Sequence, residues 1–102
     1  MPPQKPWFLY LIECRGGSIY TGITTDVAAR YAAHAAGKGA RFTRMHPPER
    51  LLAAIEYEDH SSALRAEYQT KRLKPADKRL LAAGAATLNR TTQVEAAPDS
   101  PA

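Results

Sequence analysis

The segment Trp7-Phe-Leu-Tyr-Leu-Ile-Glu-Cys14, with Arg15-Gly16-Gly17 and Ser18-Ile-Tyr-Thr-Gly-Ile-Thr24 behind it, constrains this chain more than any other. The first run is rich in aromatic and branched side chains and suits a strand. A short connection carrying two glycines brings the second run back antiparallel to it. The turn then decides the chemistry, because a one-residue slip sends every side chain to the other face. A two-residue Gly16-Gly17 loop pairs Cys14 with Ile19 and puts Tyr10 and Tyr20 on opposite sides. A three-residue Arg15-Gly16-Gly17 loop, with Gly17 in the left-handed conformation as a bulge, pairs Cys14 with Ser18. Tyr20 then lies across from Ile12, Tyr10 lies across from Gly22, and both phenols share a face. The three-residue loop is the expected one.

Beyond the hairpin, Thr24, Thr25 and Asp26 offer oxygens that cap a helix predicted from Val27 to Ala36, which Gly37 stops. Gly37 to Arg50 reads as a long loop broken by Pro47-Pro48. Leu51 to Glu58 predicts a third strand, although its first five residues also suit a helix. Asp59 or Ser61 caps a second helix reaching about Leu73. Lys74-Pro75 interrupts it, and a short third helix runs from Pro75 to Ala83 and ends at Gly84. Residues 1–6 are then an N-terminal extension and 7–84 one domain. Ala85 to Ala102, poor in large apolar residues, reads as a flexible tail. The expected fold is α/β (α+β), a three-stranded mainly antiparallel sheet flanked by about three helices in the order β-β-α-β-α-α.

The length of 102 residues fits one domain. Fourteen Lys and Arg against ten Asp and Glu give a formal charge of +4, which favours an anionic partner. Nine of those cations are Arg, the side chain whose fork matches phosphate oxygens. The single cysteine, Cys14, excludes an intrachain disulfide and a metal site built on paired cysteines. The first residues show no basic start followed by an apolar run, so they do not read as a secretory signal. No stretch reaches the length of a membrane span, and no membrane partner is expected. A cytoplasmic location is the default reading.

Side-chain direction places the chemistry. Val27, Arg30, Tyr31 and His34 follow one stripe of the first helix, and Leu64, Glu67, Tyr68 and Lys71 one stripe of the second. Each helix therefore carries ionisable groups on the stripe that should face the sheet, where charge is costly unless paired or functional. Each residue also has an ordinary explanation. Arg30 and His34 could reach water at the stripe edge, Glu67 could pair with Lys71, and the tyrosines could be strand aromatics. Taken singly, these patterns favour a nucleic-acid binder without catalysis. Lys38, Arg41, Arg44 and Arg50 of the loop, with Arg72 or Lys74, are the expected phosphate contacts.

The joint occurrence changes that balance. Phe8-Leu9-Tyr10, then Tyr20-Thr21-Gly22, then Arg30 with His34 four residues on, then Glu67 in a later helix, resembles the GIY-YIG nuclease superfamily. The stretch Gly39-Ala-Arg-Phe-Thr-Arg44 ahead of Pro48 resembles its small stand-alone bacterial subgroup, the YhbQ-like family. The resemblance covers roughly residues 7–84. It implies that Tyr10, Tyr20, Arg30 and His34 are catalytic and that Glu67 binds one Mg²⁺ or Mn²⁺. The first triplet reads Phe-Leu-Tyr here with its tyrosine kept. Where many members carry an asparagine beyond the glutamate, the third helix has Lys78 and Arg79. The implied function is a metal-dependent endonuclease or a structure-selective nuclease acting on nucleic acid and linked to DNA repair or processing. DNA is favoured over RNA, and the sequence leaves DNA, RNA and branched, nicked or single-stranded forms open. The alternatives are a non-catalytic nucleic-acid-binding module and, third, a protein-interaction adaptor. The sequence does not set the oligomeric state.

Overall fold

The computed structural model of the chain describes residues 5–95, with side chains to residue 85. Strand β1 (Trp7–Cys14) lies at the centre of a three-stranded sheet, between β2 (Ile19–Thr24) and β3 (Pro48–Tyr57). Both pairings are antiparallel. A central strand loses water on both faces, which is why its sequence is almost uninterruptedly apolar. Leu9, Leu11, Ile12 and Cys14 are fully buried.

The hairpin has the three-residue loop. Cys14 N–H donates to Ser18 O at 2.8 Å, and both Gly16 and Gly17 hold φ of 90°. Tyr10 accordingly pairs with Gly22, and Ile12 with Tyr20. Alternation then divides the core in two. Tyr10, Ile12 and Cys14 cluster with Tyr20, Val27 and Tyr31 on one face. Leu11 and Ile19 cluster with Leu52, Ala53, Leu81 and Ala82 on the other.

Helix α1 (Val27–Ala35) starts where Asp26 Oδ1 accepts the Ala29 N–H at 3.1 Å. It ends in a left-handed Gly37, whose N–H reaches His34 O while Lys38 N–H reaches Ala33 O. This paired closure satisfies two carbonyls that the helix end would orphan. Val27 and Tyr31 pack onto the Tyr10 face, so the expected stripe is the inward one. Helix α3 (His60–Lys71) is capped by Asp59, which accepts from Ser62 N–H at 2.8 Å, and packs against β1 and β2. It buries Ala63 and Thr70, whereas Leu64, Tyr68 and Lys71 of the stripe expected to face the sheet are exposed and Glu67 is half-buried, so that stripe is not the inward one.

Three boundaries differ from expectation. The long loop contains a short helix, α2 (Arg41–Met45), and β3 begins at Pro48 rather than Leu51. Register shifts at Leu11/Ile12 and Glu13/Cys14 let Pro48 pair with Cys14, and β3 is an edge strand, where proline is tolerated. The last helix, α4 (Pro75–Glu95), runs through Gly84 instead of ending there. A glycine ends a helix by turning left-handed, and Gly84 does not. The expected tail is therefore helical from Ala85 to Glu95, and its final residues, 96–102, lie outside the described residues.

Candidate active site

The Tyr10 side chain is only 2% exposed, yet its hydroxyl is satisfied, because it lies 2.9 Å from His34 Nε2. The other ring nitrogen, Nδ1, is 2.7 Å from Thr43 Oγ1, and that hydroxyl donates to Ala40 O at 2.9 Å. The ends of this row fix its polarity. Ala40 O can only accept, so the Thr43 proton points to it. Thr43 Oγ1 then accepts from Nδ1–H, which leaves the Nε2 lone pair to accept from the Tyr10 hydroxyl. The protons are assigned by this network, which uses all three short contacts. The opposite tautomer would exchange the 2.9 Å Thr43–Ala40 bond for a 3.4 Å contact from Ala40 N–H to Nδ1.

Two glycines make room for the row. A Cβ on Gly22 would stand 2.5 Å from the Tyr10 oxygen, and one on Gly39 would stand 2.2 Å from His34 Nδ1. Neither distance is tolerable, so β2 and the α1–α2 connection must be bare there. Tyr20 closes the remaining side, its ring centroid 4.9 Å from that of His34 and 6.2 Å from that of Tyr10.

Burial is the main reason the Tyr10 phenol ionises above its ordinary value of 10.0. The Arg30 guanidinium beside it pulls the other way, while Tyr20 and the Glu67 carboxylate push it further up. His34 is held below its ordinary 6.5, first by burial and then by the positive charge of Arg30. Near neutral pH the proton therefore rests on Tyr10 and the imidazole is uncharged. Arg30 is exposed and Glu67 half-buried, so the charged groups rim a buried polar centre. Glu67 is 3.3 Å from Lys71 Nζ, the i, i+4 pair that its sequence position allows.

Residues 6–80 match the GIY-YIG catalytic domain. A UPF0213 protein of Cupriavidus pinatubonensis is 55% identical over 78 residues, covering 76% of this chain and 87% of that protein. A UPF0213 protein of Xanthomonas axonopodis pv. citri is 53% identical, covering 76% of each chain. The chain belongs to the GIY-YIG family. That family is a nuclease superfamily whose nucleases act on nucleic acid, and the close relatives place this chain in its small stand-alone bacterial group. The solution NMR structure of a UPF0213 protein from Bacillus halodurans is 42% identical, with a TM-score of 0.49, over 76% of this chain and 83% of that one.

Tyr10, Tyr20 and His34 of this GIY-YIG chain are thus in mutual contact, with Arg30 and Glu67 close enough to act on the Tyr10 phenol. The basic residues divide. Lys38, Arg41 and Arg44 are exposed on the segment that presses Thr43 against His34. Arg72 lies over the Tyr68 ring at 5.7 Å, and Lys74 is exposed in the α3–α4 connection. Arg50 is not brought to the tyrosine face. It is the Cα partner of Glu13 and pairs with it at 2.6 Å, on the Leu11 side, where Arg79 reaches the same carboxylate. Sequence reasoning missed Thr43 and Gly39 as parts of the site, and it placed Gly22 across from Tyr10 without seeing that the phenol needs its bare backbone. The signal for Thr43 and Gly39 was that both fall within the Gly39–Arg44 stretch, whose arginines drew attention instead.

Among the described residues no three His, Cys, Asp or Glu side chains cluster so as to hold a metal ion. A cation at this site would rest on Glu67 as its one protein carboxylate, with water and substrate oxygens completing the shell. Mg²⁺ accepts such a set, so a single carboxylate at Glu67 fits a hard divalent ion. No helix among the described residues is long and apolar enough to cross a membrane.

Proposed function

We infer that the chain is a metal-dependent endonuclease that hydrolyses phosphodiester bonds in nucleic acid, with DNA the preferred substrate. The observation that carries the reading is the buried hydrogen bond from the Tyr10 hydroxyl to His34 Nε2, with Tyr20 on the same face. A nuclease must orient a water, take its proton, and hold the charge that builds on the phosphoryl oxygens. As the water oxygen bonds to phosphorus and the bond to the leaving sugar oxygen breaks, the Tyr10 oxygen takes the water's proton and its own passes to His34 Nε2, which Thr43 keeps facing the phenol. The leaving oxygen takes a proton from solvent, and His34 then returns its proton to solvent through Tyr10. Tyr20 orients the water or the phosphate. Arg30, exposed at the rim, forks onto the phosphoryl oxygens. A cation on Glu67 would supply Lewis-acid stabilisation of those oxygens. Structure-selective cutting in DNA repair or processing, in the cytoplasm, is the setting this reading favours for so small a domain.

A nucleic-acid-binding module without catalysis is the second reading. The Glu67–Lys71 ion pair favours it, since it gives Glu67 an ordinary helical role. The two readings separate in one experiment. Wild type and Glu67→Ala are compared on duplex, nicked, branched and single-stranded DNA and RNA in Mg²⁺, Mn²⁺ or EDTA. The nuclease reading expects cleavage by wild type that EDTA and Glu67→Ala both abolish, with binding in EDTA retained. Binding without cleavage by wild type on every substrate leaves the binding module. Cleavage that survives in a folded Glu67→Ala protein removes Glu67 from the site.

A further inference from the structure

Lys78 has no role in the chemistry above, yet it is the most deeply buried cation described, only 9% exposed. Its Nζ donates to Ile19 O at 3.2 Å, and among the described residues no carboxylate pairs with it. A lysine in that position spends solvation for one neutral hydrogen bond. Close by, the Thr21 hydroxyl is buried with no hydrogen-bond partner, on a side chain 2% exposed. An unmet buried hydroxyl is itself a cost. Both residues line one cavity of about 190 Å³, together with Lys71, Tyr20 and Phe42.

The fold explains the coincidence. Strand β2 is one of the two edges of the sheet, and the Cys14 N–H to Ser18 O bond sets which of its peptides face β1. The alternation turns the peptides of Ile19 and Thr21 outward, which is why Ile19 O is available to Lys78. The Thr21 N–H points the same way. Two lysines, a hydroxyl and an outward amide therefore converge from β2, α3 and α4, and every one of them can donate. Lys71 and Lys78 are near enough for the charge of Lys71 to add to burial in lowering the pKa of Lys78. The one backbone acceptor turned this way, Ile19 O, is already taken by Lys78, and this excess of donors around an unmet hydroxyl suits an anion. Tyr20 forms the wall shared with the candidate active site, so the anion held here is a neighbour of the one that meets Arg30.

We propose that Lys78, Lys71 and Thr21 form a second phosphate subsite at the β2 edge, which holds a phosphate of the nucleic-acid strand flanking the one presented to Tyr10 and Arg30. The proposal rests on the nuclease reading for what the first phosphate undergoes, but it concerns binding alone. An anion here repays the desolvation of Lys78 and supplies the acceptor that Thr21 lacks. It also draws Lys71 away from Glu67.

The test is binding of a short single-stranded DNA oligonucleotide in EDTA by Lys78→Met, Thr21→Val and Lys71→Met proteins, with thermal unfolding recorded for each. Lys78→Met keeps the apolar stem and removes the charge. The expected result is about tenfold weaker binding and a shallower salt dependence for Lys78→Met, and a few-fold loss for Lys71→Met. Thr21→Val is the decisive variant, because it removes only an unmet hydroxyl. It should melt at or above the wild-type temperature and still bind the oligonucleotide several-fold more weakly. A purely structural role predicts the reverse pattern, in which Lys78→Met melts early through loss of the Ile19 contact and all folded variants bind as wild type does. That result overturns the subsite, as does failure of the wild type to bind. Should Lys78→Met not fold, unchanged binding by Thr21→Val and Lys71→Met is enough to overturn it. Lysine-dependent binding in a protein that cleaves nothing would refute the nuclease reading and leave the subsite standing.

Discussion

Replacing Thr43 with Val tests whether the polar row from Tyr10 to Ala40 is built for proton movement or is only a satisfied core. Valine keeps the shape and deletes one oxygen. Two partners lose their contact, His34 Nδ1–H at 2.7 Å and Ala40 O at 2.9 Å, in a place where His34 is 1% exposed. An unsatisfied buried donor costs about 1–3 kcal/mol. For a domain of this size each kcal/mol lowers the melting temperature by about 4–8 °C, so a drop of about 4–24 °C is expected. The imidazole has one escape. Moving its proton to Nε2 lets Nδ1 accept from Ala40 N–H, now 3.4 Å away, and makes Nε2 a donor to Tyr10. That rescues stability and destroys function, because Nε2 can no longer take the Tyr10 proton. Cleavage should then fall on the order of 100-fold, the usual weight of general acid–base help. Thermal unfolding, nitrogen NMR of the His34 tautomer and cleavage rates report the three effects, and Thr43→Ser should restore them. A Thr43→Val protein that melts with wild type and keeps its Nδ1 proton would refute the reasoning.

Three further outcomes follow from the same geometry. His34 ionises below its ordinary 6.5, so between that value and its lowered native one the unfolded chain binds a proton that the native chain refuses. Stability from this group is full above about pH 6.5 and is lost as pH falls through the native value, a limb that chemical denaturation should show in wild type and not in His34→Gln. Arg41→Ala with Arg44→Ala should weaken nucleic-acid binding similarly across sequences and flatten its salt dependence, and an unchanged slope would return both to a plain solvated helix. Gly39→Ala puts a methyl 2.2 Å from His34 Nδ1, and the overpacking should cost about 1–3 kcal/mol in urea unfolding and displace the ring. Wild-type stability in that variant would show the loop to be slack.

The site was legible in the sequence wherever local rules govern it. The Arg15-Gly16-Gly17 turn sets the register, the register puts Tyr10 and Tyr20 on one face, and Asp26 and Gly37 set the ends of the helix that carries His34. What escaped depends on contacts between distant segments. Nothing near Thr43 announces a partner nine residues back, and helix α2 is too short to show a period between Gly39 and Pro47. Gly84 resembles a stop because glycine is costly in a helix, but the cost of about 1 kcal/mol does not end a helix unless the backbone also turns left-handed. Arg50 looked like one of a basic series. Its pairing opposite Glu13 took it to the other face, and strand pairing is what a linear charge pattern leaves out.

The arrangement also explains why a tyrosine so unsuited to ionise stands at the centre. A phenol and an imidazole fixed in the core are held to within a hydrogen bond of one geometry by the packing of β1, β2, α1 and Thr43, and that rigidity is what positioning requires. The cost appears as two opposed shifts, with Tyr10 raised and His34 lowered, so the resting pair keeps its proton on oxygen. Charge arriving at the rim alters that balance. Arg30 lowers the pKa of both groups, and Glu67 raises that of Tyr10. Both are more open to solvent than Tyr10 and His34, which are 2% and 1% exposed. On the nuclease reading, this division leaves the geometry with the buried row and gives the rim the task of setting when the row becomes reactive, so a free site in water has little tendency to ionise in advance of its substrate.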